Sequence, residues 1–400
     1  MKIIKNILKV AGITFLSLAI ISSLVLFFIN KYPVFKASKK IEGIEKESIE
    51  KINIDKKIIA LGEASHGNKE FQELRLDLFK NLVKNNDTRA FLLECDYAEG
   101  LIIDKYIKTG EKINNPSKYF SFDIYHTKEM DNLINWMKDY NKDNKNKLSF
   151  YGIDFQNPEK AAGPIKSYVK ENNIDINLDS LKLLKKDQIS IKDIEKSTLK
   201  KDLESLKSQT SDEKIKNLLE NVLKSFDYFS MDSNDYIKMN EVRDERMAFN
   251  VSFIESIEKK IMVSGHNGHV GKTSPTYRPM GKILKEKYKD DYYIIGTDYF
   301  KTRVNIRSLV DRDRKIKKFE SADILAYQAK DVGQYFLDFA AIDDDIDKIL
   351  ENEINMGSLG EGYSPIMKIM PQSHRIKGNP KDYYDAMVFV YETEPTNIKK

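Results

Sequence analysis

In this chain of 400 residues, three of the five histidines and four acids stand just past short apolar runs. Residues 58–61 break at Gly62, and Glu63, Ala64, Ser65, His66 and Gly67 follow. Residues 91–93 lead into Glu94, Cys95 and Asp96. Residues 148–153 lead into Asp154. Residues 261–264 lead into Gly265, His266, Asn267, Gly268 and His269. A carboxylate three residues before a histidine can orient the ring and raise its basicity, which is what a base that takes a proton from water needs. Several carboxylates and imidazoles in one cleft also tune each other's pKa values. Each residue alone has a plainer reading. Ser65 could cap a helix through Phe71, Leu74, Leu78 and Leu82, with Glu70 in its first turn. Glu94 or Asp154 could cap a following helix, and His269 could be a satisfied loop histidine. The joint pattern, with every group at a strand end, is what points to a site.

The apolar runs read as buried strands, and amphipathic stretches such as residues 132–140 around Trp136 separate them. Strand alternating with helix predicts an α/β fold, a mainly parallel sheet flanked by helices. In such sheets ligands gather outside the carboxyl ends of the strands. Residues 158–260 are nearly free of glycine, rich in Lys, Glu, Leu and Ser, and carry helical spacing at Leu218, Val222, Phe226 and Phe229. They are read as a helical insertion with solvated charged faces. The strand pattern resumes with residues 292–295, closed by Gly296 and followed by Asp298, then 302–306, 335–340 and 386–391. The tail after Glu394 is polar and is expected to fray.

The ends of the chain differ from the body. Residues 1–9 form a basic segment, and residues 10–29 carry no charge. About 20 apolar residues match a bilayer span. The run exceeds the apolar region of a cleaved signal peptide and ends in Asn30 and Lys31 without a small-residue cleavage site. It is therefore read as an uncleaved transmembrane anchor at the cell membrane, with the body outside. Residues 30–50 form a linker ending in a helix, residues 51–395 the main domain, and residues 396–400 a tail. The net charge of +4 is a small difference between 66 basic and 62 acidic residues and gives no argument for a nucleic-acid partner. Cys95 is the one cysteine, so intrachain disulfides and cysteine metal sites are excluded. It reads as a buried thiol. The turn of a serine-nucleophile hydrolase (GxSxG), the HExxH zinc helix and a phosphate-binding GxxxxGK[ST] loop are all missing. His126 and His374 sit in loop-like contexts and are assigned no chemistry. Glu63, His66, His266 and His269 could hold a divalent metal.

Seven segments carry a resemblance: ALGEASHG, FLLECD, FYGIDFQ, RDERMAFN, SGHNGHVGK, MGKILKEKY with YYIIGTDYF, and YDAMVFVYETEPT. In this order, over roughly residues 50–395, the chain resembles the erythromycin esterase family. The resemblance implies an α/β sheet with a helical insertion, and water-driven opening of a lactone, as in macrolide antibiotics, without a covalent enzyme intermediate. By matching position it implies His66 as general base, Glu63 as its partner carboxylate, Glu94 as a second active-site glutamate and His266 as the histidine facing the reacting centre. Arg75 matches an arginine near the site and His269 a further cleft histidine. Asp96 and Asp154 join the substrate-binding candidates as strand-end acids. No metal ligand is assigned, no cofactor is required and a divalent metal stays possible. The expected partner is a small-molecule ester or lactone. A metal-assisted hydrolase of another bond, and a catalytically idle surface-binding protein, are the alternatives.

Overall fold

The computed structural model describes residues 2–110, 113–185 and 192–399. A first helix, α1 (Lys2–Ala37), precedes the body. Its stretch Ala11–Ala37 is long and apolar enough to cross a membrane, and a signal sequence would satisfy the same criterion. Side chains from Ile13 to Ile29 are exposed, whereas Val34 and Ala37 pack on the body. Between α1 and the first strand the expected helix is not formed. Residues 38–57 form bends, turns and one isolated bridge, from Glu47 to Phe336, and Ile49, Ile52 and Ile54 are buried. Those isoleucines gain more from covering the core than they would from an isolated helical turn.

The strands are β1 (Ile58–Glu63), β2 (Ala90–Asp96), β3 (Ser149–Asp154), β4 (Ile261–His266), β5 (Tyr292–Ser308), β6 (Arg314–Glu320), β7 (Gln334–Asp338), β8 (Ile354–Gly357), β9 (Gly362–Tyr363), β10 (Arg375–Gly378) and β11 (Ala386–Thr393), and all but β8 and β10 join one sheet. Its central order is β3-β2-β4-β1-β5-β11-β7; β6 and β9 pair with β5, and β8 with β10 form a separate ribbon. Neighbours from β3 to β11 run parallel, and β7 closes the edge antiparallel. This is the expected α/β class. The runs 292–295 and 302–306, read separately in the sequence, are one strand, because Gly296 continues the extended backbone instead of ending it.

Alternate residues of each central strand enter opposite cores, as the pleat requires. Ile59, Leu61, Phe91, Leu93 and Met262 face helices α2 (Lys69–Asn85), α3 (Tyr97–Thr109) and α4 (Lys128–Asp143) through Phe71, Leu74, Leu78, Leu133 and Met137. Ile58, Ala60, Leu92 and Val263 face the insertion, whose helices include α5 (Ala162–Glu171), α6 (Asp193–Gln209), α7 (Glu213–Phe229) and α8 (Tyr236–Glu258). The tail does not fray as far as it is described. Thr396 N–H donates to Gly67 O at 3.0 Å, and Lys399 N–H donates to His126 O at 2.7 Å.

Candidate active site

Parallel pairing sets Glu63 of β1 opposite His266 of β4, while β2 flanks β4 on its other side and brings Glu94 to the same edge. Gly62 is required at this crossing, since a Cβ there would run into the Asn267 side chain and come within 2.9 Å of Val270 Cγ2. After β1 the chain turns through Ser65, His66 and Gly67, and Gly67 lies against the Asn305 carbonyl so closely that no side chain fits. The helix that follows starts later than the cap reading of Ser65 expected. Asn68 is its N-cap residue, with Glu70 in the first turn, and Ser65 Oγ accepts the Gly67 N–H at 3.3 Å. Ser65 is committed to the turn because Leu359 bridges it across the edge.

His66 Nδ1–H donates to Glu63 Oε1 at 2.7 Å, and Glu63 Oε2 accepts from Arg75 Nη2 at 2.5 Å. Burial by itself would raise the Glu63 pKa, but the Arg75 guanidinium and His66 outweigh it and hold the carboxyl below its usual range. Burial by itself would lower His66; the Glu63 carboxylate outweighs it, and the His66 pKa is raised. Arg75 is 1% exposed. Its Nε donates to Ser264 Oγ at 3.0 Å, and its Cζ sits 5.3 Å from the Tyr125 ring centroid. It lies behind Glu63 and positions it.

The His266 ring lies 4.8 Å from that of His66. Its Nδ1 accepts the Gly268 N–H at 3.2 Å, and its Nε2–H donates to Leu359 O at 3.1 Å. Burial, then the neighbouring His66 and His269, push its pKa down to about 3, so the ring is neutral near pH 7.

Glu94 Oε2 accepts the His266 backbone N–H at 2.8 Å, and Oε1 accepts from Arg243 Nη2 at 2.7 Å. Burial would raise its pKa, but His269 and Arg243 hold the carboxyl well below its usual range. Arg243 also donates to Asp154 Oδ2 from Nη2 at 2.8 Å and to His269 Nε2 from Nη1 at 3.0 Å. His269 Nδ1–H donates to Asp244 Oδ1 at 2.7 Å. A second histidine–carboxylate pair thus stands behind Glu94.

A cavity of about 200 Å³ opens on this arrangement, lined by His66, Glu94, Phe122, Ile124, Tyr125, Gln156, Arg243 and Glu361. His66 and Glu94 therefore reach the cavity wall, while Arg75, His269 and Asp154 stand behind it. Asp96 does not line the cavity. Its Oδ1 accepts the Ala98 N–H and its Oδ2 the Asn157 N–H, so it caps α3 and ties a loop. Cys95 is buried, as expected, and burial raises its pKa well above the ordinary thiol value.

Arg243 and Asp244 were passed over as members of a solvated helix face, yet both are buried. The signal available was their place in RDERMAFN, one of the matching segments. The donor set does not fit a divalent metal. The oxygens of Glu63 and Glu94 already meet Arg75, His66, Arg243 and a backbone N–H, and among the described residues no three His, Cys, Asp or Glu side chains converge to hold an ion.

The family model described as erythromycin esterase matches residues 83–393. The chain belongs to the erythromycin esterase family. A curated relative, erythromycin esterase type II of Escherichia coli, is 26% identical over 316 residues, covering 67% of this chain and 72% of that protein. A Bacillus cereus protein of known structure superposes with a TM-score of 0.76 at 20% identity, covering 92% of this chain and 99% of that one. A structure titled as a succinoglycan biosynthesis protein gives 0.75 at 20% identity, with 93% and 99% covered. An erythromycin esterase mutant in its open conformation gives 0.57 at 19% identity, with 86% and 92% covered. These three likenesses establish the shared fold. Family membership supports a hydrolase of ester bonds.

Proposed function

We propose that this chain is a membrane-anchored hydrolase that opens a carboxylic ester or lactone, a macrolide ring among the candidates, with a water activated by His66. The observation that carries the reading is the Glu63–His66 pair at the cavity wall. With Nδ1–H bonded to Glu63, Nε2 is the nitrogen left to take a proton from water. The imidazolium formed as water attacks is stabilised by the Glu63 carboxylate, which Arg75 keeps ionised and fixed. The tetrahedral oxyanion then needs a cation or donor. Arg243 suits that task better than Arg75 because it lines the cavity and Arg75 does not; both guanidiniums are held by carboxylates. Collapse of the intermediate returns the proton from His66 Nε2 to the leaving alkoxide, so the base ends as it began. Glu94, held ionised, fixes Arg243 and the His266 backbone.

Sites that enclose a drug-sized ligand measure about 300–1,000 Å³, so a cavity of about 200 Å³ admits the scissile group while the rest of a large substrate lies outside. The anchor reading rests on the exposed apolar length of α1; a body on the outer side of the cell membrane is part of the proposal. A hydrolysis screen of the full chain in lipid vesicles tests the proposal, using carboxylic esters and lactones with macrolides included. Hydrolysis that persists after chelation and disappears in His66→Asn is the expected result. Activity restored only by added metal would favour the metal-assisted alternative.

A further inference from the structure

The body is not hung loosely from α1. Lys31 pairs with Glu320, and Arg375 donates from Nε to Glu320 O at 2.8 Å and from Nη2 to Asn30 O at 3.3 Å. Gln328 grips the chain just beyond α1 by donating to Lys39 O at 2.8 Å and accepting the Ile41 N–H at 2.9 Å. Asn30 and Lys31 are the first polar residues after the apolar run. If α1 spans a bilayer, they mark the level at which it reaches water, and the elements touching them lie at that level.

The segment between β9 and β10, residues 364–374, is one such element. Both its ends rest on Phe319, the neighbour of Glu320. The Tyr363 ring is 6.3 Å and the His374 ring 4.9 Å from the Phe319 ring. Met367 is buried and pins the segment from below. Around it Ile366 and Ile369 are each 50% exposed and Met370 37% exposed, with exposed Lys368 among them. Three large apolar side chains projecting from one short segment form a patch of the kind that marks an interaction surface. A fully extended chain covers about 3.3–3.6 Å per residue, so the five steps from Met370 to Arg375 keep Met370, at the end of the patch, within about 18 Å of the residue that bonds Asn30 and Glu320. A lysine among apolar side chains suits a surface that is apolar below and anionic above.

We infer that Ile366, Ile369 and Met370 dip into the same bilayer that holds α1, with Lys368 among the headgroups. This inference rests on the reading of α1 as a membrane anchor. It gives the body a second contact and a fixed tilt.

The test uses the full chain in vesicles of phosphatidylcholine and phosphatidylglycerol. An environment-sensitive fluorophore is attached at one introduced cysteine at a time, in a Cys95→Ser background. Ile369→Cys reports the patch and Leu18→Cys reports α1. Phe249→Cys, on α8 against the β3 side of the sheet, is the water-exposed control. Spin-labelled lipid is the quencher. The inference expects loss of emission at position 369 comparable with that at 18 and absent at 249. Quenching at 18 without quenching at 369 overturns the bilayer contact and leaves the anchor standing. Quenching at neither position overturns both.

Discussion

His66 and His266 place their rings 4.8 Å apart on neighbouring strand ends, and the fold drives them in opposite directions. Both are half-buried, and the loss of water around each ring disfavours its charged form. His66 has a carboxylate on Nδ1, and its pKa rises. His266 has a backbone N–H on Nδ1, a carbonyl on Nε2 and two histidines for neighbours, and its pKa falls to about 3. Burial is common to both, so the bonded partner decides the role. On the proposed reading one ring accepts a proton from water, and the other stays neutral and bonds the Leu359 and Gly268 backbone.

The sharpest way to break this comparison is to exchange each ring for an amide. A positioned general base is worth about 10²–10⁴-fold, so His66→Asn should lower turnover by that order with the melting temperature little changed. His266→Asn should cost about tenfold or less, the worth of one or two hydrogen bonds. Equal losses in hydrolysis assays at saturating substrate would remove the distinction between the rings.

Glu63→Gln attacks the origin of the difference. It leaves Arg75, 1% exposed, without its anionic partner. Breaking a buried pair in this way costs about 3–5 kcal/mol, which urea unfolding would report. Because the Glu63 carboxylate raises the His66 pKa, the basic ring in any surviving Glu63→Gln enzyme should titrate at lower pH.

Dependence on pH then sharpens the comparison. His66 binds its proton more tightly folded than unfolded. Its contribution to stability is fully present below the ordinary value of 6.5 and is lost as pH rises through the raised folded value. Activity needs the free base and should rise over that same interval, above 6.5. His266 behaves in the opposite sense. The unfolded chain takes up a proton near 6.5 while the folded ring refuses it down to about 3, so its contribution erodes stability as pH falls through that window. Removing His266 should flatten the acid-side loss in a series of unfolding curves, and removing His66 should flatten the loss on the basic side.

The smallest effects belong to the residues between and behind the rings. Ser65 is not the helix cap, and Ser65→Ala should cost no more than about 1 kcal/mol, the net worth of its turn hydrogen bond. Cys95→Ser should leave turnover standing, because the thiol is buried away from the cavity. A trapped acyl-enzyme that disappears with Cys95 would replace the water mechanism by a covalent one.

The strand-end residues were legible because parallel pairing carries sequence pattern directly into space. An apolar run closed by a turn puts its next side chain at the sheet edge, and runs that pair in parallel put theirs at the same edge. That rule located Glu63, His66, Glu94 and His266. It could not separate Asp96, which points to the Ala98 and Asn157 backbone, from Glu94 two residues earlier, since the path of the loops decides which one meets the cavity. Arg243 and Asp244 were hidden for a different reason. They sit on a helix of the insertion, and their partners Glu94, Asp154 and His269 come from three distant strand ends. Local charge density reads such residues as solvated; only the docked helix reveals them as buried. The exposed length of α1 was legible from composition alone, whereas its grip on Glu320 and Arg375 was not.

The turn that carries His66 is completed from far along the chain. Gly67 O accepts the Thr396 N–H, Asn68 bridges Pro395, and Gly67 and Thr396 are 329 positions apart. During synthesis β1 and α2 leave the ribosome early, yet the loop between them lacks its final clasp until residue 396 has emerged. A nascent chain can hold most of its sheet while the turn that carries His66 still lacks this clasp.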